Sequence, residues 1–142
     1  EIGGRSEQAQ RRVAKIGDGW LASGLTPEEA GVGVQTIKRH LDLEGRHIED
    51  DHYGVILGTY LSDSPEAGVK SLQSRTSPVR NDKPLETYSL VGTASDISNR
   101  IQLYQEAGIS KFVLRLMCPE AESLNQLSSL AETVASPINS RP

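Results

Sequence analysis

Apolar residues recur along this chain in two alternating patterns, one spaced for helices and one nearly continuous. Behind Ser6, a residue type that caps helices, Ala9, Val13 and Ile16 lie at the spacing of one helix face. Short apolar runs separate this stretch from later stretches of the same kind. Strands that alternate with helices predict an α/β fold with a parallel sheet and flanking helices.

The second helical segment has the clearest start signal. Thr26 and Glu29 form a capping box, and Pro27 stands at the first helical position. Four apolar residues follow at helical spacing: Ala30, Val34, Ile37 and Leu41. Because a glycine inside a helix costs about 1 kcal/mol relative to Ala, Gly31 and Gly33 indicate a helix that is held mainly by packing.

Two apolar runs are of the kind found in sheets that are covered on both faces. Residues 53–61 (YGVILGTYL) and 111–117 (KFVLRLM) are both nearly continuous in apolar residues. Arg115 interrupts the second run, and a buried charge must be paired or must face a polar cavity. Two interpretations of Arg115 stay open, a contact to a cofactor or substrate and an internal salt bridge.

The rest of the chain adds a loop and further helices. Residues 75–84 are polar, contain two prolines and predict a loop. A helix is predicted between Gly92 and Gly108, since glycine commonly ends a helix. The last predicted helix starts at Pro119 and ends at Pro137, with four residues inward: Leu124, Leu127, Leu130 and Val134. We expect residues 136–142 to form a frayed tail.

The composition of the chain bears on whether it binds nucleic acid, crosses a membrane or forms disulfides. The chain has 19 Asp and Glu against 15 Lys and Arg, a net charge of -4. This predicts no nucleic-acid partner, because a phosphate-binding surface normally shows a basic excess. No apolar run approaches the roughly 20 residues that span a bilayer, so no membrane segment is predicted. Cys118 is the only cysteine, which excludes an intrachain disulfide and favours a cytoplasmic location.

The turn Gly3-Gly4-Arg5-Ser6 is the best candidate for chemistry. Two glycines let the backbone approach a ligand closely and adopt positive φ. The amide groups here stand at the start of a helix, whose dipole favours an anion. Arg5 can add a charge-assisted contact to a phosphate. A tight turn without a ligand is the alternative interpretation of the same residues.

Other residues give weaker signals. Side chains that can bind metals cluster at His47, Asp50, Asp51 and His52. Their spacing matches no known ligand pattern, so we interpret the segment as a solvated loop and predict no metal site. Cys118 has no setting that activates a thiol, and no residue is assigned a catalytic role. Trp20, the only tryptophan, is either core or the wall of an apolar pocket.

Three segments of the chain together carry a family resemblance. They are residues 3–20 (GGRSEQAQRRVAKIGDGW), 25–46 (LTPEEAGVGVQTIKRHLDLEGR) and 91–116 (VGTASDISNRIQLYQEAGISKFVLRL). In content, order and spacing they resemble the luciferase-like monooxygenases, which are flavin- and deazaflavin-dependent oxidoreductases. The Asp-Gly-Trp ending of the first segment resembles the deazaflavin-dependent branch in particular.

The resemblance implies a (βα)8 TIM barrel that binds FMN or a deazaflavin coenzyme at the carboxyl ends of its strands. The residues it implies for the cofactor phosphate are Gly3, Gly4, Arg5 and Ser6, and it places Trp20 near the substrate pocket. Arg115 is the second candidate for that pocket, because it is a charge in a buried-type strand and barrel active sites lie at strand ends. A full barrel needs roughly 250 residues. Residues 1–135 are therefore expected to be the C-terminal half of one, and the start of the chain at a strand end adds to the expectation of a fragment.

The expected function follows from this resemblance. We expect a fragment of a flavin- or deazaflavin-dependent oxidoreductase or monooxygenase that acts on a small organic substrate, with the fragment inactive alone. A half barrel has open sheet edges and exposed apolar surface, so a homo-oligomer or the N-terminal barrel half is the expected partner. The alternative is a non-catalytic fragment or remnant that binds a phosphorylated ligand or a partner chain.

Overall fold

Strands and helices alternate along the chain as the apolar pattern predicts, except that the pattern misses the short strand Leu90–Gly92. The computed structural model describes residues 1–140. The strands are β1 (Trp20–Ser23), β2 (Tyr53–Leu61), β3 (Leu90–Gly92) and β4 (Lys111–Leu116). The helices are α1 (Glu7–Ile16), α2 (Pro27–Glu44), α3 (Pro65–Arg75), α4 (Ala94–Glu106), α5 (Ser123–Leu130) and α6 (Ser136–Asn139). Within the described residues, every helix is too short or too polar to cross a membrane.

All three other strands pair with β2. β1 and β3 each run parallel to it, and Trp20 lies opposite Tyr53. β4 also pairs with β2. The amide of Ser110 donates to the carbonyl of Tyr53, and the amide of Met117 donates to that of Thr59. Because these two bonds advance along both strands together, this pair is parallel as well. The predicted α/β fold with parallel strands is confirmed.

The chain divides into two compact units. The first contains Glu1–Leu57 and Leu103–Val113, and the second contains Gly58–Gln102 and the chain from Leu114 onward. In the first unit α1 packs on α2, and the fully buried side chains include Val13, Trp20, Val34, Ile37 and Val55. The second unit has its own apolar cluster, which consists of Leu72, Leu85, Tyr88 and Met117.

The N-terminal caps of α1 and α2 form as the sequence predicts. α1 begins behind Ser6, whose Oγ accepts a hydrogen bond from the amide of Ala9 at 3.2 Å. α2 has the full capping box: the amide of Glu29 donates to Thr26 Oγ1 at 3.3 Å, and the amide of Thr26 donates to Glu29 Oε2 at 3.0 Å. These caps satisfy amide groups that a helix start otherwise leaves open.

β4 lies in an environment that differs from the predicted one. None of its residues is buried, and its exposure alternates, with Lys111, Val113 and Arg115 exposed. The prediction of cover on both faces is therefore wrong for β4. Side chains of a strand alternate between faces, so the two charged residues share one side. That side is the one without cover.

The last helical segment also differs from its prediction. Leu124 is 77% exposed and Leu127 is 57% exposed, whereas Leu130 and Val134 are buried. The prediction of four inward residues is thus wrong for the first two. Among the described residues, no element covers the outer side of α5 at these two positions.

The backbone stays helical past Pro137, where the sequence predicts an end. Residues Ala131–Ala135 form a π turn, and α6 follows directly. The wider π turn accommodates a proline that an α-helical interior would exclude. Ser136 Oγ donates to the carbonyl of Ala131 at 2.8 Å. Of the predicted frayed tail, residues 141–142 lie outside the described residues, and the domain boundary after residue 135 stays a prediction.

Candidate functional site

The glycine turn leaves the carboxyl end of a strand-like segment in the first unit. Ile2 forms a parallel bridge to Trp20, with the amide of Ile2 on the carbonyl of Gly19 at 2.9 Å and the amide of Leu21 on the carbonyl of Ile2 at 3.2 Å. The turn follows at once and runs into α1. In parallel α/β folds, ligands bind outside the carboxyl ends of the strands. The turn therefore stands where such a fold presents its ligand sites.

The packing of the chain itself requires glycine at position 4 and leaves little room for a side chain at position 3. Gly4 has a φ of +117°, which L-residues rarely adopt, and an added Cβ would lie 2.6 Å from Cβ of Ala9. A Cβ on Gly3 would lie 3.2 Å from the carbonyl oxygen of Leu21. A tight turn without a ligand is therefore enough to explain why glycines occur at these two positions. Any role in phosphate binding must come from the donors of the turn.

Two buried side chains hold the carbonyl groups of the turn. Trp20 Nε1 donates to the carbonyl of Gly4 at 3.0 Å, and Gln10 Nε2 donates to the carbonyl of Arg5 at 3.2 Å. In a planar trans peptide the N–H points opposite to the C=O. The amide of Ser6, which shares a peptide with the carbonyl of Arg5, is therefore directed away from Gln10.

The start of α1 leaves several amide donors open. Ser6 Oγ accepts from Ala9, but the amides of Ser6, Glu7 and Gln8 have no hydrogen-bond acceptor within residues 1–140. Gly3, Gly4, Arg5 and Ser6 are all exposed. Open amides at a helix N-terminus, together with the helix dipole, favour an anion. This arrangement can receive a phosphate group.

Charged side chains flank the turn. Arg5 is exposed, and its Nη1 donates to the carbonyl of Gly24 at 3.4 Å, which links the turn to the loop after β1. Glu7 brings a negative charge to the first turn of α1. Its carboxylate pairs with Arg11 at 2.6 Å, and this hydrogen bond lowers the pKa of Glu7. The pairing offsets the charge of Glu7 next to the open amides.

Trp20 supports the turn from within the core. Its side chain is fully buried, and an added Cβ on Gly33 would lie 2.4 Å from its Cη2 atom. The indole therefore packs directly on the backbone of α2, which explains a glycine inside that helix. The contact to substrate that the sequence predicts for Trp20 stays a prediction. What the structure describes is a positioning contact to Gly4.

Gln10 is the residue of this site that sequence reasoning misses. It is 8% exposed although it is polar, and it lies on the stripe of α1 between Ala9 and Val13. Its amide reaches both the carbonyl of Arg5 and the neighbourhood of Trp20. The available signal is its position one helical turn behind the cap Ser6, where a polar side chain can reach back to the turn.

Arg115 belongs to the part of β4 in the second unit. It is exposed, and no hydrogen bond or ion pair joins its side chain to another residue among those that the structure describes. The internal salt bridge that the sequence left open does not form within residues 1–140. A contact to cofactor or substrate stays a prediction.

The second unit places polar groups at the end of β2. Tyr60 donates its hydroxyl to Glu122 Oε2 at 3.1 Å, and burial followed by this hydrogen bond raises the pKa of Tyr60. The side chain of Gln126 pairs with the backbone of Leu61 as a neighbouring strand would. Its Oε1 accepts from the amide of Leu61 at 2.9 Å, and its Nε2 donates to the carbonyl of Leu61 at 2.7 Å. Sequence reasoning missed this cluster, because its members are more than sixty positions apart.

The side chains that could bind a metal are occupied with other partners. His47 lies 3.5 Å from Glu49, and His52 lies 3.7 Å from Asp51. Asp50 pairs with Lys38 at 2.8 Å. Within residues 1–140, no group of three His, Cys, Asp or Glu side chains is arranged to hold a metal ion. Cys118 is half-buried and lies 3.8 Å from Ser123 Oγ.

Neither a family model nor a curated protein matches the sequence. Solved structures do match. An F420-dependent secondary alcohol dehydrogenase in complex with an F420–acetone adduct has a TM-score of 0.69 at 13% identity, over 93% of this chain and 47% of that chain. The coenzyme F420 dependent tetrahydromethanopterin reductase from Methanopyrus kandleri has a TM-score of 0.67 at 14% identity. The match covers 95% of this chain and 49% of that chain.

A third similar structure is an FMN protein. The oxygenating constituent of 3,6-diketocamphane monooxygenase from the CAM plasmid of Pseudomonas putida, in complex with FMN, has a TM-score of 0.69 at 13% identity. The match covers 94% of this chain and 47% of that chain. The chain thus spans about half the length of these structures. It has the fold of the corresponding part of the F420- and FMN-dependent luciferase-like enzymes.

Proposed function

We propose that this chain is the cofactor-phosphate-binding part of a luciferase-like oxidoreductase that uses FMN or a deazaflavin. The observation that carries the proposal is the exposed turn in which the amides of Ser6, Glu7 and Gln8 have no acceptor among the described residues. The similar structures support it, since two are named for coenzyme F420 and one is described with FMN.

The residues of the turn fit a phosphate group. A phosphate monoester has several acceptor oxygens and a negative charge, and the start of α1 offers open donors along the positive end of the helix dipole. Arg5 brings a cation to the same turn. A bound flavin or deazaflavin supplies the hydride or oxygen chemistry, while the protein binds and orients it. In this proposal the chain holds the phosphate end of the cofactor.

The substrate of the full enzyme is proposed to be a small organic molecule. Arg115 is the residue we assign to its pocket or to the cofactor, because it is a charge on a strand that is exposed and unpaired within residues 1–140. Trp20 is proposed to act on the pocket through the turn, since its indole holds the carbonyl of Gly4.

The whole enzyme is proposed to need more chain than these residues. β4 has an uncovered face, with Val113 42% exposed, and parallel strands normally have both faces covered. We propose that the N-terminal half of a barrel or a second copy of this chain covers it, and that this chain alone does not turn over substrate.

Two pairs of ligands test the phosphate role directly. FMN and riboflavin differ only in the phosphate, and 5-deaza-FMN and 5-deazariboflavin form the corresponding deazaflavin pair. By calorimetry we expect at least one phosphate-bearing member to bind the chain roughly tenfold tighter than its counterpart, as charge-assisted hydrogen bonds require. Equal affinity within both pairs would contradict the proposal.

Arg5→Gln is the variant that belongs with this titration. It removes one charge next to the turn and keeps the backbone, so we expect weaker binding of the phosphate-bearing ligand only. Arg75→Gln removes an exposed charge in the second unit and serves as the matched control. Gly4→Val is unsuitable, because its side chain would collide with Ala9 before any ligand arrives.

A second function is favoured by the open face of β4. A chain that binds a phosphorylated ligand or a partner chain without catalysis would show the same turn and the same uncovered strand. Turnover assays separate the two functions. The chain is assayed with FMN and with a deazaflavin, each with and without the N-terminal half of a related barrel added as a separate chain. Phosphate-dependent binding without turnover in every combination would favour the non-catalytic function.

A further inference from the structure

A groove runs between the outer sides of α1 and α2 in the first unit, and of the residues used above it includes Gln8 and Arg11. It has a volume of about 570 Å³. α1 contributes Gln8, Arg11, Arg12 and Lys15, and α2 contributes His40 and Glu44. The residues of α1 are spaced by three and four positions, so they stand on one face of the helix. The groove is therefore built from two helix faces that are fixed by the α1–α2 packing.

The charge of the groove is opposite to that of the chain. Three cations line it against the one carboxylate of Glu44, whereas the whole chain carries a net charge of -4. Arg11 is paired with Glu7, but Arg12 and Lys15 have no ion-pair partner within residues 1–140. Like charges at these spacings destabilise a helix. An anion in the groove would relieve this repulsion.

His40 supplies an independent sign of a ligand. Its side chain is 18% exposed, and its Nε2 atom is buried without a hydrogen-bond partner among the described residues. The nearest acidic atom is Glu7 Oε1 at 3.9 Å, which is too long for a hydrogen bond. Buried polar atoms are nearly always satisfied, so Nε2 of the His40 imidazole calls for a hydrogen-bond partner that residues 1–140 do not supply.

We propose that this groove binds a small anion with several charges, bearing phosphate or carboxylate groups. Arg12 and Lys15 attract it. The His40 ring turns towards the groove, because Nε2 is buried as the ring stands, and Nε2 then donates a hydrogen bond to one of the anion's oxygens. Glu44 lies at the same groove and opposes the anion, which limits affinity. The proposal does not depend on the cofactor role of the glycine turn, since no lining cation belongs to that turn.

Titration of the full chain with inorganic tripolyphosphate and with citrate tests the proposal. We expect saturable binding at low salt, and a shift of the His40 imidazole resonances in the NMR spectrum. Tighter binding of tripolyphosphate identifies a phosphate ligand, and tighter binding of citrate identifies a carboxylate ligand. No saturable binding of either anion, or binding that leaves the His40 resonances unmoved, overturns the proposal.

A matched pair of double variants separates the groove from general charge attraction. R12A with K15A removes two exposed cations from the groove, and K70A with R75A removes two exposed cations from α3. Circular dichroism checks that both remain folded. We expect the first pair to lose roughly tenfold in affinity and the second to stay near wild type. E44Q is expected to tighten binding. Equal losses in the two double variants would overturn the proposal.

Discussion

β2 and β4 look alike in sequence and differ in the structure. Both are short runs dominated by apolar residues, and both pair in parallel. In β2, Val55 and Leu57 are fully buried. In β4, no residue is buried, and Val113 is 42% exposed. The two strands belong to the same sheet, so the difference lies in what covers their faces.

In these two strands, the face on which a charged residue falls affects burial more than the apolar content of the run does. Lys111 and Arg115 are four positions apart in β4, so both fall on one face together with Val113. β2 has no charged residue on either face. The alternation in β4 was therefore present in the sequence, but the apolar content of the run concealed it. The uncovered face is the one that we propose another chain segment covers.

The largest expected effect comes from a matched pair of valines. Val55→Ala in β2 removes two buried methyl groups and should lower the free energy of unfolding by about 2 kcal/mol. Val113→Ala in β4 should lower it by less than about 0.5 kcal/mol, since its side chain stays partly in water. Urea denaturation of the two variants measures the difference. Similar losses would show that β4 is covered in solution, for example by a second copy.

The hydroxyls of two tyrosines in β2 provide the next test. Tyr60 donates to Glu122, whereas the hydroxyl of Tyr53 is buried with no partner among the described residues. Tyr60→Phe should lower the free energy of unfolding by about 1 kcal/mol, because it leaves Glu122 without its donor. Tyr53→Phe should leave it unchanged or raise it. If Tyr53→Phe destabilises the fold as much as Tyr60→Phe does, the hydroxyl of Tyr53 has a partner in solution, which contradicts its unpartnered burial.

The charged face of β4 predicts a small pH dependence. Lys111 Nζ lies 2.5 Å from Glu1 Oε1, and this hydrogen bond lowers the pKa of Glu1 below its ordinary value of 4.5. A lowered carboxyl pKa stabilises the fold above the ordinary value, and the contribution disappears as the pH falls through the lowered value.

Lys111→Met tests this dependence. It should cost at most about 1 kcal/mol at neutral pH, as for other partly exposed ion pairs. The difference from wild type should shrink as the pH is lowered below 4.5. Denaturation curves at neutral and acidic pH measure it. A difference that grows on acidification would contradict the pairing of Lys111 with Glu1.

Arg115→Leu should have the smallest effect on stability. Because Arg115 is exposed and unpaired within the described residues, its loss should change the free energy of unfolding by less than about 0.5 kcal/mol. If Arg115 contacts cofactor or substrate, the same variant in a turnover-competent assembly should raise KM or the cofactor Kd. A large loss of stability would indicate a structural partner instead.

Features that depend on neighbouring residues were predictable from the sequence. The capping box of Thr26 and Glu29 forms because its partners are three residues apart and need no tertiary contact. The alternation of strands with helices follows from the same local periodicity, and so do the helical stripes except at Ile16, Leu124 and Leu127, which are exposed. They suffice to predict a parallel α/β fold, and the family resemblance adds the fold that the solved structures share.

Features that depend on distant residues were not predictable. Gly33 looked like a weakness of α2, but it is the place where Trp20 packs on the helix backbone. Gln10 looked like an ordinary polar residue, but it holds the carbonyl of Arg5. Gly4 was interpreted as room for a phosphate, and it also meets Ala9 closely. Each reason becomes visible only when α1, α2 and β1 are placed together.

We propose that the open amides at the start of α1 receive a cofactor phosphate. The most direct measurement is an amide NMR titration of the chain with FMN and, separately, with riboflavin. We expect FMN to shift the amide resonances of Ser6, Glu7 and Gln8 and riboflavin to leave them in place. Shifts that are equal for the two ligands, or that avoid these three amides when FMN binds, would contradict it.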